Sequence, residues 1–195
     1  MTKNDLLFAS HCGFRKGMSI ETNLILAYES ITDLLEQDVL VDVFLLYQAK
    51  AFDNMSHCYL MIKLALYQIE NYVAQWIHSF LSDRIQIVTV YDERGDCICS
   101  TPVHIKSGFP QETKPGPTIF NLYVNDAPGV AKNGFELCAD DSKLFGPAAS
   151  TENCSSLQED LRNLCLWAIT WMLELNPCKC KVLHLGLNNP TIVIT

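Results

Sequence analysis

Positive charge is what this chain has least of. Its 195 residues carry 14 Lys and Arg against 22 Asp and Glu, a formal net charge of −8. Proteins that hold nucleic acid through phosphate neutralisation are usually basic, so this balance predicts weak intrinsic nucleic-acid affinity, lost steeply with salt. Charged residues of both signs make up only 18%, while 49% are apolar. That excludes intrinsic disorder and allows a real core. No apolar run approaches the ~20 residues needed to span a bilayer, so a membrane role is not expected. The opening MTKNDLLFAS has too short an apolar stretch for a secretory leader. Disulfides are not indicated either, because the nine cysteines are odd in number. The closest pairs, Cys97/Cys99 and Cys178/Cys180, are spaced C-x-C, tighter than structural zinc sites use. Adding His184 to the second pair gives the one conceivable zinc set. The expectation is an intracellular protein with reduced thiols. Repeats, low-complexity tracts and a clear linker are all missing, which predicts one unit over residues 1–195.

Helical and extended periodicities fill the chain. After Ser19, a plausible N-cap, the residues Leu24, Ala27, Tyr28, Ile31, Leu34 and Leu35 recur at helical spacing. VLVDVFLL, Val39 to Leu46, is nearly uninterrupted and rich in β-branched residues, as in a strand buried on both faces. Helices are predicted for 60–69 and around 72–80. Two extended stretches, RIQIVTVYD and 97–106, can pair across the turn at 93–95. SGFPQETKPGP, with two glycines and three prolines, is a loop. Pro117 then opens a short helix, and a long amphipathic helix runs over 151–175. KCKVLHLG is the last strand candidate. Trp76, Trp167 and Trp171 fall on apolar helix faces and read as core.

The pair Asp140–Asp141 stands between two short apolar runs in FELCADDSKLF. Strand, tight turn, strand is the local reading. Adjacent like charges repel, so the pair must be solvated or neutralised by a cation. Asp is common in ordinary turns, and a carboxylate pair is also how polymerases hold Mg²⁺ for phosphoryl transfer. Both readings stand on the motif alone.

Order and spacing separate them. GFRKGMSIETNL, YQAKAFD, SGFPQ, PGPTIFNLYVND, CADD and NPCKCKVLHLG follow one another from about Gly13 to Gly186. This succession resembles the reverse transcriptase domain of non-LTR retrotransposons of the Jockey and CR1 type. The resemblance implies an α+β, polymerase palm-like fold: a mostly antiparallel sheet with helices packed on one face, fingers and thumb largely missing. It implies RNA-directed DNA synthesis on an RNA template and DNA primer with dNTPs, through two Mg²⁺ ions held by three carboxylates. Asp140 and Asp141 match the two hairpin acids and would be catalytic metal ligands. Lys179 resembles a late lysine proposed to protonate the leaving pyrophosphate. Phe52 matches the aromatic beneath the nucleotide sugar, and Gln111 a nucleotide-contacting glutamine. Arg15 and Lys16 resemble residues that contact the nucleic-acid backbone.

Three departures bear on chemistry. The family pattern Asp-Phe-Ser-Lys-Ala-Phe-Asp reads YQAKAFD here, so Tyr47 stands where the first metal ligand should be. A neutral phenol is a poor Mg²⁺ ligand at neutral pH. Neither Asp53, at the strand's exit, nor Asp42, five residues before Tyr47, is placed to substitute. Glu112 replaces a glycine of the Pro-Gln-Gly loop, where backbone passes close to nucleotide and template. Pro115 replaces an apolar residue in the same loop. The implied function is a reverse transcriptase-like domain with impaired catalysis. The alternative is a non-catalytic binding or structural module derived from a retroelement.

Overall fold

The computed structural model describes residues 7–8, 12–13, 17–110, 112–187 and 189. Helix α1 (Ile20–Glu36) begins at Ser19, whose hydroxyl accepts the Thr22 N–H, as its position before the periodic run predicts. The buried run becomes β1 (Val41–Tyr47). One turn of helix, α2 (Ala51–Asn54), leads into α3 (His57–Leu66) and α4 (Asn71–Leu81). A two-part ribbon follows: β2 (Ile85–Gln86), β3 (Thr89–Tyr91), β4 (Cys97–Cys99) and β5 (Val103–His104). Its pairs are β3 with β4 and β2 with β5, both antiparallel. Then come α5 (Gly116–Val124), a short 3₁₀ turn (Ala127–Val130), β6 (Gly134–Cys138), β7 (Asp141–Pro147), α6 (Thr151–Thr170) and β8 (Lys181–Leu185).

Four of these strands form one antiparallel sheet in the order β6-β7-β1-β8. β1 is central, and its sequence explains why. Phe44 and Leu46 point into the main core with Leu144, Leu137 and Phe135. Val41 and Val43, on the opposite face by strand alternation, pack with Phe145 beneath Ala27, Ile31, Leu34 and Leu35 of α1. Residues of α3, α5 and α6 fill the main core. The α+β, mostly antiparallel architecture is as expected, except that α1 adds a second helical layer on the other face. A strand apolar on both sides requires cover on both.

Elsewhere the expectations shift locally. The long helix ends at Thr170, not Leu175, because Trp171 caps it and Met172 turns back with φ +55. Trp167 is core, but Trp76 is 53% exposed and stacks on Phe80 at 5.8 Å. α4 buries Ile77 and Leu81 instead. On α1, Leu24 and Tyr28 are exposed. All nine cysteines are free thiols. No helix among the described residues is long and apolar enough to cross a membrane.

One core residue is unexpected. Lys63 lies in phase with Leu60 and Leu64 and is 1% exposed. Its ammonium donates to the Tyr123 carbonyl and pairs with Asp126. It also sits 3.9 Å from the Trp171 ring centroid and 4.9 Å from that of Trp167. Trp167 Nε1 donates to the same Asp126 oxygen. Charge pair and ring faces offset part of the desolvation cost, yet burial pulls the Lys63 ammonium down to about 8. Above pH 8 the native state has released a proton that the unfolded chain keeps to about 10.4. Lys63 therefore contributes stability that rises with pH across that window. The expected outcome in urea denaturation is that wild type gains on Lys63→Met between pH 8 and 10; a constant difference would contradict it.

Candidate active site

The twin acids sit where β6 turns into β7. Register Cys138↔Asp141 leaves Ala139 and Asp140 as the turn, with Asp141 already the first residue of β7. Ala139 has φ +56. Short hairpin turns need positive φ, normally supplied by Gly or Asn, and alanine there costs about 1 kcal/mol or more. The surroundings hold the turn in place. Gln48 N–H donates to the Asp140 carbonyl at 3.2 Å, and Cys12 N–H donates to the Leu137 carbonyl at 3.1 Å. Gly13 packs so closely that a Cβ there would lie 2.5 Å from the Ala139 nitrogen. Asn121 of α5 grips the Gly13 carbonyl. The glycine of the GFR segment is thus required by contact with the acidic turn.

β1 ends beside this turn. The β1–β7 register pairs Tyr47 directly with Asp141. The NPCKCK segment closes the other side: Asn176 N–H donates to the Tyr47 carbonyl at 2.7 Å, and Tyr47 N–H points to Cys180 Sγ at 3.5 Å. Lys179 Nζ comes within 5.8 Å of the Tyr47 ring centroid. The fold therefore gathers Tyr47, Asp140, Asp141 and Lys179, which lie far apart in sequence. Phe52 is packed against the core, stacked on Phe120 at 4.4 Å. Gln111, Arg15 and Lys16 lie outside the described residues.

Electrostatics at the turn are unfavourable to charge. Burial and the Asp140 charge raise the Asp141 carboxyl above its usual range, and the Tyr47 hydroxyl, Lys143 and Lys179 offset this in part. Asp141 Oδ1 is buried with no hydrogen-bond partner. The Asp141 charge, more than burial, pushes the Tyr47 phenol up, so at neutral pH Tyr47 is a neutral donor facing a carboxylate. Next along the same face, Lys143 donates to Asn23 Oδ1 at 2.6 Å and the Asn23 amide donates to Glu136 at 3.1 Å. Asn23 is wholly buried. The sequence offered one signal for it, a polar residue in the first turns of an otherwise apolar helix face.

Could these groups hold Mg²⁺? The ion takes oxygen ligands in near-octahedral geometry. Among the described residues, no group of three or more His, Cys, Asp or Glu side chains converges. Asp42 faces away from Tyr47 by alternation and is bound to His184 Nδ1 at 2.8 Å and Asn189 Nδ2 at 3.0 Å. His184 Nδ1 is thereby engaged by Asp42. Asp53 lies in α2, beyond the strand. Two adjacent carboxylates and a phenol do not fit a two-ion cage.

The SGFPQ loop crosses α2. Gly108 N–H donates to the Met55 carbonyl at 2.7 Å and Phe109 N–H to the Phe52 carbonyl at 2.9 Å. At φ +80, a Cβ on Gly108 would lie 2.8 Å from the Asp53 carbonyl oxygen. Further on, exposed Glu112 has φ +61. The backbone keeps a conformation suited to glycine while the residue is not one.

A central antiparallel strand ending beside an acidic two-residue turn, with helices packed behind, is the architecture of a nucleic-acid polymerase palm. Residues 2–191 match the family described as reverse transcriptase (RNA-dependent DNA polymerase), and the chain belongs to that family. It is 26% identical over 191 residues to the probable RNA-directed DNA polymerase from transposon BS of Drosophila melanogaster; the match covers 92% of this chain and 20% of that protein. The chain thus spans about a fifth of that relative's length. Among solved structures it resembles telomerase from Candida tropicalis in complex with a fragment of telomeric RNA, with TM-score 0.66 at 11% identity over 96% of this chain and 32% of the other. Telomerase from Candida albicans gives TM-score 0.63 at 14% identity, covering 95% and 34%. At such identity these likenesses speak for the fold alone.

The strained, charged turn and the loop that carries Glu112 each have a measurable consequence. Because the folded Asp141 carboxyl titrates above its unfolded value, its contribution is favourable below about pH 4 and lost as pH rises through the folded value. Asp141→Asn should therefore have a higher melting temperature than wild type at pH 7, with the gap closing toward pH 3. Glu112→Gly should raise stability by roughly 0.5–1 kcal/mol, the relief of left-handed strain less glycine's extra chain entropy. Equal urea midpoints would refute the strain assignment.

Proposed function

We propose that this chain is a reverse transcriptase palm whose metal chemistry is impaired, descended from a domain that copied RNA into DNA from a primer. The observation that carries the reading is the pairing of Tyr47 with Asp141. It supports the reading that a neutral phenol stands where the family's first carboxylate would complete the cation site. The buried, unpartnered Asp141 oxygen and the upward shift that burial and the Asp140 charge give that carboxyl support reading the pair as a place where a cation would be favourable. Bound Mg²⁺ would neutralise charge on the transferring phosphate. In this chain, Asp140 and Asp141 supply two carboxylates, Lys179 a cation beside Tyr47, and Tyr47 a proton held on its phenol oxygen. Members of a catalytic unit fail together when one is removed. An RNA template, a DNA primer and dNTPs are the partners that this reading assigns, and an intracellular site of action goes with them.

Primer extension tests it. The purified chain, given a primed RNA template with Mg²⁺ or Mn²⁺, is expected to incorporate no more nucleotide than Asp140→Asn/Asp141→Asn. Incorporation clearly above that variant would overturn the impairment. Calorimetry provides the second arm: Tyr47→Asp with Glu112→Gly should bind Mg²⁺ more tightly than wild type. No gain would mean that Tyr47 does not stand in the place of a metal ligand.

A further inference from the structure

The exposed ribbon carries a pair of thiols that the palm has no use for. Cys97 and Cys99 of β4 lie two residues apart, so strand alternation puts both side chains on one face. Both are exposed, and their Sγ atoms are 3.7 Å apart. The backbone on either side is held. At the hairpin tip, Asp92 Oδ1 accepts the Arg94 and Asp96 N–H groups at 2.9 and 2.8 Å. Past the pair, Ser100 N–H donates to the Val88 carbonyl at 2.8 Å, and Val88 N–H donates to Ser100 Oγ at 3.0 Å. Between these anchors Cys97 pairs with Tyr91 and Cys99 with Thr89. Thr89 Oγ1 lies 3.6 Å from Cys99 Sγ. The tip itself is acidic, with Asp92, Glu93 and Asp96 against Arg94.

Two thiols this close can bond to each other or share an ion, and the strand decides between the two. A disulfide brings its Cβ atoms to about 3.5–4.5 Å. Two steps along an extended strand separate them by roughly 6.5–7 Å. Closing the bond would buckle β4 and break its pairing with β3. Chelation asks for no such movement. With thiolate–zinc bonds of about 2.3 Å, a sulfur separation of 3.7 Å subtends roughly 107° at the ion, close to the tetrahedral angle. We propose that Cys97 and Cys99 form a bidentate thiolate site for a soft, tetrahedral divalent cation of the Zn²⁺ and Cd²⁺ class. Among the described residues no third His, Cys, Asp or Glu joins them, so the remaining positions stay with solvent. That separates the pair from closed structural zinc sites, which take four protein ligands. As the two sulfur–metal bonds form, both thiol protons leave to solvent. The Cys97 thiol is pushed up by its hydrogen bond to Cys99, and the cation takes the place of that shared proton. The Thr89 hydroxyl donates to the Cys99 thiolate and orients it. The acidic tip draws cations to this end of the ribbon. The site stands whether or not the palm retains any polymerase chemistry.

The test is ultraviolet titration of the full chain with Cd²⁺, the thiols kept reduced by a phosphine. The thiolate–cadmium charge-transfer band reports each sulfur–metal bond. Wild type is expected to show a binding step with the amplitude of two thiolates. Cys97→Ser and Cys99→Ser should each weaken that step roughly tenfold or more, as the loss of one arm of a chelate does. Cys58→Ser/Cys165→Ser removes two exposed thiols elsewhere and should leave it unchanged. Zn²⁺ should displace the Cd²⁺, and Mg²⁺ should not. Amide exchange locates the ion independently: binding should slow the Ser100 N–H beside the pair and leave the Ile105 N–H, bonded to the Arg84 carbonyl at the ribbon base, as it was. A step that survives either single substitution, or that falls equally in the control, would overturn the site. So would displacement by Mg²⁺ or an unaltered Ser100 exchange rate. The tryptic peptide 95–106 contains Cys97, Cys99 and no other cysteine. Finding the two joined in that peptide from chain kept in glutathione buffer would also overturn it, since the strand would then favour a disulfide over an ion.

Discussion

The pairing of β1 with β7 is the constraint that fixes the site. Its register runs from Val41↔Pro147 to Tyr47↔Asp141 without interruption. A slip of one residue would exchange the two faces of the strand. That slip would expose Phe44 and Leu46 to the α1 side and drive Asp42 into the place of a core residue. Burial of Phe44, Leu144, Val43 and Phe145 on the two faces therefore fixes which side chain meets Asp141. The meeting of phenol and carboxylate is a by-product of core packing.

Around that register the acidic turn is held in a conformation that neither its residues nor its charges favour. Ala139 sits at positive φ, Gly13 leaves no room beside it, and Asp141 keeps a buried oxygen unpartnered. Such strain persists where the surroundings over-determine it, and it gathers at functional sites. Glu112 shows the same constraint in another loop: the chain path is one suited to glycine, and the residue is glutamate. Packing, more than the local residue, sets the backbone at both places.

Charge follows the same logic of place over composition. A net charge of −8 describes the summed field at a distance, whereas a charged side chain answers to its neighbours over a few ångströms, within a Debye length. Lys63 is the case in point: a charge in phase with leucines on a helix ends up buried among rings, legible in the sequence as an anomaly but not as a partner of Asp126.

Periodicity was enough to find the elements. It placed α1, β1, the acidic hairpin and the ribbon to within a few residues, and the motif order pointed to the family. Its errors came where periodicity is blind: the end of α6 at a left-handed Met172, the exposure of Trp76, and the second helical layer. Which groups meet was settled only by tertiary packing. Tyr47, Asp141 and Lys179 converge because antiparallel pairing and the 176–180 turn carry them together, and Asp42 is turned to His184 by strand alternation. One-dimensional patterns encode which face of an element is apolar, while the contacts between elements depend on register and crossing, which are fixed only when those faces are buried together.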